Sequence, residues 1–164
     1  MKAVDEQKSK ELIKLMSAVS PREWERKHSK QALELIESGA DVNAQDEDGS
    51  TALMLAVMYG HAPILQALLE AGSDINAQDK WGKTSIMRVA EYDRTDIVEL
   101  LLEAGADVGL KDNNGYTALE LAKEARYDCL VQLINQKIAE LEAKTMLDYT
   151  SDLRTDLTPS ILSQ

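Results

Sequence analysis

A period of 33 residues runs through this chain and rules out most ways of folding it. Gly49, Gly82 and Gly115 keep that step, as do Asp46, Asp79 and Asp112, and Thr51, Thr84 and Thr117. A second glycine series, Gly39, Gly72 and Gly105, repeats at the same interval, each member followed by a small residue and an aspartate. Fixed spacing at so many positions means one supersecondary unit copied along the chain, not one closed core. Such units stack, touch only their neighbours and leave a long exposed surface, which is where function is expected.

Within a period the residue types dictate a local structure. Asp46-Glu47-Asp48-Gly49 is a turn: aspartate bonds its own nearby backbone, and glycine accepts a left-handed conformation without steric cost. Thr51 stands at a helix start, where its hydroxyl can accept from an otherwise unpaired backbone N–H. The run Ala52 to Val57 is apolar almost all round, as a helix buried between neighbours should be. Gly60-His61 breaks it. A second helix follows through Ile64 to Leu69, with apolar positions spaced for one packed face. Gly72 ends that helix, a common place for glycine. Asp74 to Asp79 then leads into the next turn as an extended loop.

These residues resemble the ankyrin repeat. The family pattern of turn, helix pair and Gly-Ala-Asp-Val-Asn-Ala link appears as Asp46 to Ala56, recurs from Asp79 to Met87 and from Asp112 to Glu120, and the link stands at Gly39 to Ala44. The likeness is firm over roughly residues 30 to 135 and looser at the ends. It implies an all-α solenoid of stacked helix-turn-helix units joined by hairpin-like loops. The expected layout is a divergent capping repeat over 1–45 and repeats over 46–78, 79–111 and 112–144, the last with an extended helix. For the tail, 145–164, the readings are disorder, or folding back on the stack or adding a short helix.

The departures from the pattern are informative. Ala52, Ser85 and Ala118 replace the family's proline, and Met54, Met87 and Glu120 replace its histidine, so the stacking hydrogen bonds credited to that histidine are not expected here. Arg88 occupies a position that Leu55 and Leu121 fill in the neighbouring units. A buried arginine without a partner is costly, so Arg88 must either snorkel or pair with a carboxylate such as Glu120 or Glu91.

The first unit is irregular. Leu12 to Val19 reads as one helix and Gln31 to Ile36 as another, separated by a long charged segment in which Trp24 reads as a lid over the end of the core. At the other end, Leu130, Leu133, Ile134, Ile138 and Leu141 recur at helical spacing, which carries the last helix towards Ala143 or Leu147.

Charge and cysteine usage exclude several functions. The formal net charge is −11, and residues 41–164 hold ten Lys/Arg against twenty-two Asp/Glu. That is the wrong sign for phosphate-backbone binding, so no nucleic acid partner is expected. Cys129 is the single cysteine, which precludes an intrachain disulfide and a thiolate zinc set. The N-terminus lacks the apolar stretch of a secretion signal, and no apolar run approaches a membrane span. A cytoplasmic protein is expected, with no membrane partner.

Nothing in the chain supports catalysis or a cofactor. His28 and His61 are the two histidines, and neither has a nucleophile or acid at a recognised spacing. Every glycine is explained by a turn or a helix end, leaving no phosphate-cradling loop.

The resemblance instead implies recognition of a protein through the concave face and loop tips. Carried onto this sequence, it assigns Glu47, Asp48, Ser50, Met58 and Tyr59 in the first full unit. It assigns Lys80, Trp81, Lys83, Glu91 and Tyr92 in the second, and Asn113, Asn114, Tyr116, Glu124 and Ala125 in the third. Trp81, Tyr59, Tyr92, Tyr116 and Met58 stand out, because interface centres are enriched in Trp, Tyr and Met. For the tyrosines an equal alternative is packing on the next repeat; Trp81 reads as a binding residue. The partner is an unidentified protein, the chain a monomer, with a dimer through the last helix as the rival. Asn43 and Asn76 are link asparagines of the kind that resembling proteins offer to asparaginyl hydroxylases, a series that Gly109 breaks.

Overall fold

The computed structural model describes residues 5–18, 27–92 and 94–155. Trp24 and residues 156–164 of the tail lie outside them. Helices pair in chain order: α1 (Glu6–Ala18) with α2 (Lys27–Glu37), α3 (Ala52–Tyr59) with α4 (Ala62–Glu70), α5 (Ser85–Tyr92) with α6 (Val98–Glu103), and α7 (Ala118–Ala125) with α8 (Asp128–Thr155). A short 3-10 turn, Thr95–Ile97, leads into α6. The first helices of successive units pack in a row, α1 on α3, α3 on α5 and α5 on α7, while α2 lies on α4 and α6 on α8. The core follows the stack as one continuous apolar strip from Leu12 and Met16 to Leu130 and Ile134.

Position in the row explains composition. Helix α3 touches α1, α4 and α5, so every residue from Ala52 to Val57 is buried and no polar face is left to write into its sequence. Thr51 caps it, its hydroxyl accepting from the Met54 N–H at 3.3 Å. Gly60 closes it with φ of 72°, the left-handed geometry that favours glycine. Met54 and Met87 are fully buried, so the positions that the family gives to histidine contribute apolar packing here. Glu120, the third such residue, completes a capping box with Thr117. Its carboxylate accepts the Thr117 backbone N–H at 2.7 Å, and that bond holds its pKa below the ordinary glutamate value.

The segments between units are hairpin-like. A single antiparallel bridge joins Gln45 to Thr51. The same narrow turn recurs through Asp46 N–H to Ser50 O at 3.0 Å, Asp79 N–H to Lys83 O at 3.1 Å and Asp112 N–H to Tyr116 O at 2.9 Å. Within each turn one aspartate oxygen holds two backbone donors: Asp46 Oδ1 takes Asp48 and Ser50, Asp79 Oδ1 takes Trp81 and Lys83, and Asp112 Oδ1 takes Asn114 and Tyr116. The repeating aspartate is thus a turn-former at every site.

Helix α8 continues beyond the end expected from its apolar spacing, reaching Thr155. No glycine or proline interrupts residues 128–155, so nothing local stops the helix where its apolar packing ends. Leu130 and Ile134 are buried against α6 and α7, whereas Leu141, Met146 and Leu147 are exposed.

Candidate protein-binding surface

Three loop tips, around residues 46–50, 79–83 and 112–116, are tied into one surface. The Lys80 backbone N–H donates to Asp48 O at 3.0 Å, and the Asn113 N–H donates to Trp81 O at 2.9 Å. Side chains repeat the link. Lys80 Nζ pairs with the Asp48 carboxylate, and Asn113 Nδ2 donates to Lys80 O at 2.9 Å. The middle loop is therefore held from both sides, and Trp81 stands at its tip.

Trp81 is 43% exposed, Tyr92 40% and Tyr116 38%, values that leave much of each ring for a partner. The Lys80 ammonium lies 4.4 Å from the Trp81 ring centroid and the Arg88 guanidinium carbon 5.4 Å, both within cation–π reach. Met58 and Tyr59 differ: they are half-buried and pack against the core. Tyr59 sits 6.1 Å from the His61 ring, tilted by 34°, so its packing role is the one its geometry serves. Among the other positions the resemblance assigned, Ser50 is a correction. It is buried, because its backbone closes the turn onto Asp46. Asn113, Asn114, Glu124 and Ala125 are exposed, and Asp48 and Lys83 are partly so.

Arg88 meets two carboxylates. Its Nη2 pairs with Asp79 Oδ2, and its Nη1 donates to Glu91 Oε2 at 2.5 Å. Glu91 also accepts from Lys83 Nζ. Of the partners expected for Arg88, Glu91 is found and Glu120 is not, since Glu120 is engaged with Thr117. Asp79 was missed because its role depends on the loop folding back over α5, nine residues away in sequence; the clue was an aspartate already needed for the turn. Burial opposes charge at Glu91, but the donors from Lys83 and Arg88 outweigh it and hold the carboxyl below its ordinary value. Burial likewise opposes charge at Arg88, and Glu91 and Asp79 outweigh it and raise the guanidinium pKa.

Among the described residues no cluster of three His, Cys, Asp or Glu side chains could hold a metal ion, and no helix is long and apolar enough to cross a membrane. Paired helices stacked at a fixed repeat, with tied loop tips along one edge, define a helical repeat solenoid. A family model for ankyrin repeats, in three copies, matches residues 15–112 and 71–145. The chain belongs to the ankyrin repeat family, whose stacks generally mediate protein–protein interaction and are typically not enzymes.

Proposed function

We propose that this chain is a non-enzymatic adaptor, inhibitor or regulator that docks a protein partner on the loop-tip surface centred on Trp81, with Lys80, Lys83, Glu91, Tyr92, Asn113, Asn114 and Tyr116 around it. The observation that carries this reading is an indole left nearly half exposed on a loop that is hydrogen-bonded to both of its neighbours. A rigid, part-exposed aromatic loses little entropy on binding and makes an efficient anchor. The acidic charge of the repeats favours a partner with a basic contact surface, drawn in by long-range attraction.

Trp81→Ala combined with Tyr92→Ala tests it. Loss of two central aromatics weakens binding by roughly 30-fold or more, so the double variant is expected to lose the protein that the natural chain retains from its host. The fold loses an exposed cation–π contact with Lys80, about 0.5–1 kcal/mol, and one with the buried Arg88, about 2 kcal/mol, so the melting temperature falls by roughly ten degrees or less while the chain stays folded. A variant that unfolds early but keeps its partner shows instead that the rings are structural and the docking surface lies elsewhere.

A further inference from the structure

One unit of the stack departs from its neighbours at two places that touch each other. At the loop tip it carries Trp81 where the adjacent units have Asp48 and Asn114; on the first helix it carries Arg88 where they have Leu55 and Leu121. Arg88 is 7% exposed and reaches Trp81 by two routes. Its guanidinium carbon lies over the indole. It also grips Asp79 Oδ2, while Asp79 Oδ1 accepts the Trp81 backbone N–H at 2.9 Å. Glu91 holds the other side of the guanidinium and is itself held by Lys83.

The turn does not require this arginine. Asp46 and Asp112 make the same pair of backbone hydrogen bonds in their own loops with leucine at the matching helix position. A buried ion network of this kind is often no better for stability than well-packed apolar residues. Its distinctive consequence is on the indole.

We infer that Arg88 is a positioning residue: braced by Asp79 and Glu91, its guanidinium holds the Trp81 ring in the orientation that meets a partner. The inference rests on the docking role assigned to Trp81 and adds the residue that sets the strength of that docking. Without Arg88 only the exposed Lys80 faces the ring, which gains freedom and must be ordered when the partner binds, weakening affinity about three- to tenfold.

The test uses the full chain. It has two tryptophans, so its nitrogen-15 spectrum has two indole signals, and Trp81→Phe identifies which belongs to Trp81. The expected result is a heteronuclear Overhauser effect at the Trp81 indole that is backbone-like in the natural chain, reduced in Arg88→Lys and lowest in Arg88→Leu, with unchanged backbone amide values in 46–78. Arg88→Lys keeps a cation but cannot span two carboxylates, so it remains informative even if Arg88→Leu does not fold. An indole value equal to the natural chain's in Arg88→Lys, and in Arg88→Leu where that folds, overturns the inference. If the ring loosens but partner retention is unchanged, Arg88 does hold the indole and it is the docking role of Trp81 that fails.

Discussion

Single side chains account for how the units are joined and where the joining stops. Asn43 Oδ1 accepts the Asp74 N–H at 2.7 Å, and Asn76 Oδ1 accepts the Asp107 N–H at 2.8 Å. Gln45 and Gln78 each reach one unit further on, to Gln78 O at 3.2 Å and Lys111 O at 3.0 Å. The next members of both series are Gly109 and Lys111. They lie where the following unit has no link loop to receive a bond, because α8 runs on as helix. The break in the asparagine series is therefore the end of the stack written into the sequence. Glycines at the loop tips divide in the same way. Gly82 has φ of 77° and a Cβ there would fall 2.6 Å from Asn113 Oδ1 and 2.8 Å from Asn113 N, whereas Gly115 has φ of 87° and open space. Left-handed strain alone costs an alanine roughly 1–2 kcal/mol, which is the expected loss for Gly115→Ala. Gly82→Ala adds displacement of the neighbouring loop, about 1–3 kcal/mol more. Urea unfolding of the two variants measures the difference, and equal midpoints would show that the loops are not in contact in solution.

Among the elements, the helices with a clear apolar stripe and glycine punctuation were legible as written, and α3 and α4 stand where pattern alone puts them. The charged helix α5 was not so plain. Its Arg88 could be recognised as out of place and Glu91, one helical turn on, named as a partner, but Asp79 comes from the loop before α5, which only packing brings near. The junction of α3 and α4 carries a titrating group. His61 opens α4, and burial, helped by the positive charge of Arg94, holds its pKa below the ordinary histidine value. The folded state thus prefers neutral His61. Its contribution is complete above the unfolded value, about 6.5, and is lost as pH falls through the lower folded value. Melting at pH 5.5 is expected to come below that at pH 7.5, and His61→Gln should remove this difference. Glu91 does not confuse the reading, because its lowered pKa keeps it charged throughout that window.

For the whole molecule, the open question is how the long last helix is used. Its inner part is anchored by Leu130 and Ile134, and from Ala139 to Leu147 its side chains are exposed. Relative to Leu141, Met146 and Leu147 lie about 140° and 240° around the helix axis. They form no single stripe of the kind a paired-helix seam requires. A chain ending at Ala143 is therefore expected to melt at the same temperature as the full chain, and both should sediment as monomers. A full chain that sediments as a dimer while the shortened one does not would assign the helix to self-association. A melting point that drops on shortening would instead place stabilising contacts in residues 144–164.

The repeat, its turns and the threonine-capped starts of α3 and α7 were determined by the sequence alone, since each depends on residues within one period or on a comparison between periods. Tertiary structure decided which exposed aromatics stay exposed, separating Trp81, Tyr92 and Tyr116 from the half-buried Tyr59. It also supplied Arg88 with Asp79. Both outcomes depend on distances between one unit and the loop laid across it, and a linear spacing of residues does not encode those distances.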